Sequence, residues 1–316
     1  MRLSRRKWLA RLVTGLALFG CTSKPNQSQN SPVSPALSPE KLRTAAEKRQ
    51  NFRRGQDARM RSALSPLARV DYQHIPIGQH PVGLEVSSPL HLVASLRSGF
   101  GGQLVVSRLG SEVTFSATET VLYNGQPANH ATLRKGDVLT LGQTQLLLTG
   151  SLDDPGFGIY SDQAEAKRTY SGLHDYPDDE AFVVEAKLFR TAPHPVKVLA
   201  SRGEPQELIS VGDLHFSLPD GEQRRDCTLE AYLETPGGKT LFLIFRDKTS
   251  GKPSGSYGAG RFLLADLDPS DTAILDFNQA WNPLCAYSPY FHCPMPSQKN
   301  HIPVAITTGE KAYGDH

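Results

Sequence analysis

The sequence predicts a mainly β protein in which a helix precedes a small β-sandwich and a second β-rich unit with long C-terminal loops. Short apolar runs bounded by Gly, Asn and Pro recur from Ile75 to about Ile159, the spacing of sandwich strands. From Tyr170 onward the runs lengthen and alternate, and helical periodicity is almost absent. Asn124-Gly125 and Pro236-Gly237-Gly238 stand between such runs, where hairpins turn.

Residues 1–20 read as a secretory signal. Arg2, Arg5, Arg6 and Lys7 form a basic head, and the apolar run Trp8 to Gly20 follows, broken by Arg11 and Thr14. A spanning helix needs about 20 apolar residues, so this run is too short to be one. Leu18-Phe19-Gly20-Cys21 resembles a bacterial lipobox, which implies that Cys21 is the lipid-bearing first residue of the mature chain. Ser4-Arg5-Arg6-Lys7-Trp8-Leu9 resembles the twin-arginine export signal, with Trp8 in place of Phe. Several acyl chains on one thiol give a durable tether to the membrane.

Residues 21–39 read as a disordered tether, because they carry almost no apolar side chains to offset the entropy of ordering. A helix is expected over 39–64, within the segment 40–66. Ser38-Pro39-Glu40 supplies its start and Ser65-Pro66 its stop. Its apolar side (Leu42, Phe52, Met60, Leu64) is expected to pack on the protein. The basic face (Arg43, Lys48, Arg49, Arg53, Arg54, Arg59, Arg61) is then solvated, or alternatively rests on anionic lipid headgroups.

Residues 67–165 are expected to form the small sandwich, from strands around 104–106, 113–115, 121–123, 138–141 and 145–148. The order of Asn124-Gly125, Gly136-Asp137 and a late Leu141-Gly142 resembles forkhead-associated domains. The resemblance reaches the shape alone: Gly78 is followed by Gln79 where such domains place the Arg that reads phosphothreonine. Residues 166–316 form the second unit, with strands at 182–188, 214–218, 227–233 and 240–245, the last apolar enough to be covered on both faces.

Unusual residues concentrate between Arg246 and Lys311. Asp247, Arg261, Asp276, Asn278, Asn282 and Tyr287 are the candidate binding residues, expected to line one polar pocket in the loops. The alternative is that they staple those loops to the sheet, since Asp and Asn bond turn backbones and Arg clamps carboxylates. Cys285 and Cys293, separated by seven residues, are expected to form a disulfide in an oxidising space. Such a bridge stabilises by about 2–3 kcal/mol through loop entropy. Inert buried thiols are the alternative. A metal site with His292 or His301 lacks Cys-x-x-Cys or His-x-x-x-His spacing. Cys227 reads as a core thiol.

These segments resemble the family known as domain of unknown function 1684. The residues that carry the likeness are Asp247-x-Thr249-Ser250-Gly251, Tyr257-Gly258-Ala259-Gly260-Arg261, Asp276-Phe277-Asn278, Trp281-Asn282-Pro283-Leu284-Cys285-Ala286-Tyr287, Cys293-Pro294 and Gly309-Glu310-Lys311. The chain departs from the family pattern at Ala259, Trp281, Leu284 and Ser297, none of which removes a polar group. The resemblance implies a β-rich fold and no established activity.

A formal net charge of +2, from 34 basic and 32 acidic residues, gives no clustered basic footprint for nucleic acid. The expected protein is an extracytoplasmic, lipid-anchored, non-catalytic binding or structural module with an unknown polar ligand and no cofactor. The alternative is a hydrolase, or a thiol- or metal-dependent redox enzyme, using Cys285, His292, Asp276 and Arg261.

Overall fold

The structure, a computed structural model, describes residues 37–83, 90–91 and 104–314. The expected signal, Cys21 and nearly all of the tether lie outside the described residues. Helix α1 (Pro39–Arg61) starts as its sequence dictates: the Ser38 hydroxyl accepts the Lys41 N–H at 3.3 Å, and Pro39 and Glu40 occupy the first turn. It ends before residue 64 because Ser62 turns out of the helix and donates its hydroxyl to the Arg59 carbonyl. A 3-10 turn at Pro66–Ala68, capped by Ser65, leads into the first sheet.

That sheet has nine strands: β1 (Arg69–His74), β2 (Gly78–Gly83), β3 (Leu90–His91), β4 (Leu104–Leu109), β5 (Glu112–Tyr123), β6 (Gln126–Leu133), β7 (Val138–Leu141), β8 (Thr144–Gly150) and β9 (Pro155–Ser161). They run in the order β1-β9-β8-β7-β5-β4-β2-β3, with β6 also paired to β5. The two short strands expected at 113–115 and 121–123 are one strand, β5, whose pairing with β6 shifts between Ser116 and Val121. The Asn124-Gly125 turn takes φ of 48° and 80°, the left-handed pair that a two-residue hairpin requires. Asp137 fixes it by accepting from the Asn124 amide at 2.9 Å and the Tyr123 hydroxyl at 2.8 Å. Inside lie Leu104, Val106, Phe115, Leu139, Leu141, Leu146 and Ile159, the alternate positions of neighbouring strands.

The second sheet is antiparallel, in the order β14-β13-β12-β11-β10-β15. Its strands are β10 (Val183–Val198), β11 (Gln206–Asp220), β12 (Gln223–Leu233), β13 (Thr240–Phe245), β14 (Arg261–Asp266) and β15 (Thr272–Asp276). A bridge between Leu267 and Ala273 brings its two edges together, so the sheet curls into a barrel-like form. Leu214, Leu229, Leu241, Leu243, Leu263, Leu275 and Phe277 fill the inside, each almost fully buried. The outside of β13 is also covered. Ile244 packs with Tyr232, Phe262 and Phe291 beneath the loop that follows β15.

Between the sheets runs the short helix α2 (Glu165–Arg168). α1 lies along the second sheet and the loops that follow β15. Lys41 and Lys48 pair with Glu185 and Asp266 of the second sheet, at 2.6 and 3.1 Å. At the other end Met60 and Leu67 pack with Ala286 and Tyr287. Its arginines are therefore not a uniformly solvated face: Arg49 is buried, and Arg53 and Arg61 bind carboxylates. Among the described residues, no helix is long and apolar enough to cross a membrane.

Candidate functional site

The six candidate binding residues fall into three buried networks rather than one pocket. The first centres on Arg261, which β14 points away from solvent until its exposure is 0%. Its guanidinium donates to Asp247 Oδ2 at 2.9 Å, and to the carbonyls of Ile306, Thr308 and Glu310. Asp247 Oδ1 in turn accepts the N–H and hydroxyl of Thr249, both at 2.7 Å. One planar donor thus ties the loop after β13 to the chain's final segment, a geometry that lysine cannot reproduce.

The second network joins β15 to α1. Asp276 Oδ2 accepts Arg49 Nε at 3.0 Å and the Gln279 amide at 3.1 Å. Asp276 Oδ1 accepts the N–H and side-chain amide of Asn278. Arg49 also reaches Asp178, which Arg53 holds from its other side. These contacts keep the Asp178 carboxyl below its usual range, against the upward push of desolvation.

The third network is Asn282, Tyr287 and Glu310. Glu310 Oε2 accepts the Asn282 N–H at 2.8 Å, and Oε1 accepts the Tyr287 hydroxyl. Asn282 donates its amide to the Lys311 carbonyl at 2.7 Å. Glu310 is buried without an ion-pair partner among the described residues. Burial pushes its carboxyl up to about 7. Sequence reasoning assigned no role to Glu310, because its surroundings come from segments distant in the chain.

The loops are therefore held together by these side chains. Open space lies instead between α1 and the outer face of the second sheet, in a groove of about 710 Å³, within the range of small-molecule sites. Leu264 and Ile274 form its floor, and Trp281 and Phe52 meet at one end with ring centres 5.4 Å apart. Glu40 and Glu234 stand exposed at its edge without ion-pair partners among the described residues. Lys41 and Lys48, also on the edge, are spent on Glu185 and Asp266. Of the six candidates only Asp276 lines this groove. In the sequence Phe52 reads as packing surface and Trp281 as a departure from a family pattern; nothing there shows that they meet.

Cys285 and Cys293 carry free thiols rather than the expected bridge. The pair is adjacent nonetheless: Cys293 Sγ accepts the Cys285 N–H at 3.3 Å. Cys227 is the buried core thiol that its alternating strand implied, its ionisation pushed up to about 11 by burial. The four residues of the enzymatic alternative do not converge. His292 bonds the Glu204 carbonyl at 2.8 Å, while Asp276 and Arg261 belong to separate networks. Among the described residues no group of His, Cys, Asp and Glu has the arrangement of a metal site.

Residues 168–311 match the family model described as "Protein of unknown function (DUF1684)". A similar solved structure is the solution NMR structure of an uncharacterized protein of Haloarcula marismortui. It is 31% identical, the match covering 48% of this chain and 82% of that one, with a TM-score of 0.38. No curated protein matches the chain. The segment that builds the second sheet and its stapled loops is thus the part of the chain that matches the DUF1684 family model.

Proposed function

We propose that the protein is an extracytoplasmic binding module, held to the membrane by lipid on Cys21, that takes a small organic cation in the groove under α1. The aromatic corner of Trp281 and Phe52 at one end of the groove, with two unpaired carboxylates elsewhere along its edge, carries this reading. Aromatic faces attract ammonium groups by about 0.5–2 kcal/mol, most strongly when desolvated. Glu40 and Glu234 add the complementary charge, whereas the two lysines are neutralised by their partners. The apolar floor suits a ligand with a hydrocarbon body. Asp276 contributes by position: its oxygens are saturated by Arg49, Asn278 and Gln279, and it fixes α1 at the groove's far wall.

Native mass spectrometry of the full chain with Cys21→Ser tests the ligand class. Phenyltrimethylammonium is expected to bind with one-to-one stoichiometry, and its neutral isostere tert-butylbenzene and the anion benzoate much more weakly. Equal binding of all three would refute the cation reading. Membrane attachment is tested separately: the native protein should carry an acyl-modified Cys21, and an unmodified cytosolic protein would contradict it.

A further inference from the structure

A second reactive locus lies outside the groove, at the loop that follows β15. Cys285 sits in the 3-10 turn Leu284–Ala286 and is half-buried, while Cys293 lies deeper at 5% exposure. The two residues are adjacent, and the Cys285 N–H points at Cys293 Sγ from 3.3 Å. Around them stand two hydroxyls. Ser201 accepts the Cys293 N–H at 3.1 Å, and Tyr257 reaches the Cys285 carbonyl at 3.5 Å. A half-buried cysteine beside a shielded one is the arrangement that lets one thiol attack and the other resolve.

We propose that Cys285 and Cys293 form a thiol–disulfide exchange site that reduces a small or peptide disulfide, with Cys285 attacking and Cys293 resolving. In the first step the Cys285 thiolate attacks one sulfur of R–S–S–R′. A Cys285–S–S–R bond forms, the substrate's S–S bond breaks and R′–S⁻ leaves. In the second step Cys293 gives its proton to R′–S⁻ and its thiolate attacks Cys285 Sγ. The mixed disulfide breaks and R–S⁻ leaves, to take up the proton that Cys285 first released. The two cysteine sulfurs lose two electrons to the substrate, which departs as two thiols, and the protein ends with one disulfide. A dithiol reductant would return it to the starting state.

The division of roles follows from the surroundings. The neighbouring Cys293 thiol is the main cause that brings the Cys285 thiol down to about 7, against the upward push of burial. The neighbouring Cys285 thiol and burial push Cys293 far up. A thiol that ionises near ambient pH is the best attacking group in exchange. Because Cys293 Sγ already lies 3.3 Å from the Cys285 N–H, resolution needs only a local adjustment of the two side chains.

The test uses the full chain with Cys21→Ser and the aromatic disulfide 5,5′-dithiobis(2-nitrobenzoate). The wild-type pair is expected to release two thionitrobenzoates in a fast phase, retain none and lose two hydrogens by mass. Cys293→Ser should release one and retain one, and Cys285→Ser should lose the fast phase by at least about tenfold. Buried Cys227 is expected to react only on unfolding. Retention of thionitrobenzoate by the unmutated pair, or an undiminished fast phase in Cys285→Ser, would overturn the assignment. The mass of the unmutated pair decides it even if either variant fails to fold.

Discussion

Exchanging Glu310 for glutamine removes a buried carboxyl that forms no ion pair among the described residues and accepts from the Asn282 N–H and the Tyr287 hydroxyl. Burial raises its ionisation from 4.5 to about 7. Between those two pH values the folded protein therefore binds more protons than the unfolded chain, so this group's contribution to stability falls as pH rises. At 1.36 kcal/mol per pKa unit, the loss is on the order of 3 kcal/mol, complete once pH exceeds the folded value. The glutamine side chain keeps an acceptor for the Asn282 N–H and presents a neutral amide to Tyr287, so the variant's stability lacks this slope. The assay is urea unfolding of the wild type and Glu310→Gln at pH 4.5, 6 and 8. Other carboxylates cancel in the difference, including Asp178, whose own lowered ionisation acts in the opposite sense. The variant is expected to match the wild type at the lowest pH and to gain on it steadily to the highest. A difference between the two that stays constant with pH would refute the reasoning.

Three further outcomes are expected. Arg261→Met leaves Asp247 charged and buried with three tail carbonyls unpaired. It should cost about 3–5 kcal/mol in chemical denaturation, and a loss under 1 kcal/mol would contradict the stapling role. Gly309 adopts φ of 73° with the carbonyls of Phe277 and Ala280 only 2.7 Å from where a Cβ would stand. Gly309→Ala should therefore destabilise by about 2 kcal/mol or more, read as a lower urea midpoint. Arg49→Met breaks the bonds from α1 to Asp276 and Asp178, so amides of 39–61 should exchange faster while those of β11 and β12 keep their protection. Uniform acceleration across the protein would show that α1 is integral to the core.

Much of the fold was legible because the signals were local. The Ser38-Pro39-Glu40 start, the Asn124-Gly125 turn and the alternation along β10 to β13 each depend on neighbours in sequence. What escaped was assembled over long separations. Arg49 looked like one more solvated arginine until its partner proved to be Asp276, more than 200 residues away. Phe52 and Trp281 are as distant, and their corner exists only because α1 lies across the second sheet. The dense polar motif was conspicuous as a string, yet its side chains point inward to hold loops rather than outward to a ligand. Unusual residues at fixed spacing report that a group is needed, and burial decides whether the need is for structure or for binding.

Fluorescence of Trp281 tests the groove most directly. In a chain with Trp8→Phe it is the sole tryptophan, and it forms half of the aromatic corner. Titration with phenyltrimethylammonium should quench it saturably, with Glu234→Gln and Phe52→Ala each weakening the apparent affinity by about five- to tenfold and high salt weakening it further. Emission that ignores the cation, or quenching that both variants leave unchanged, would contradict binding at this site.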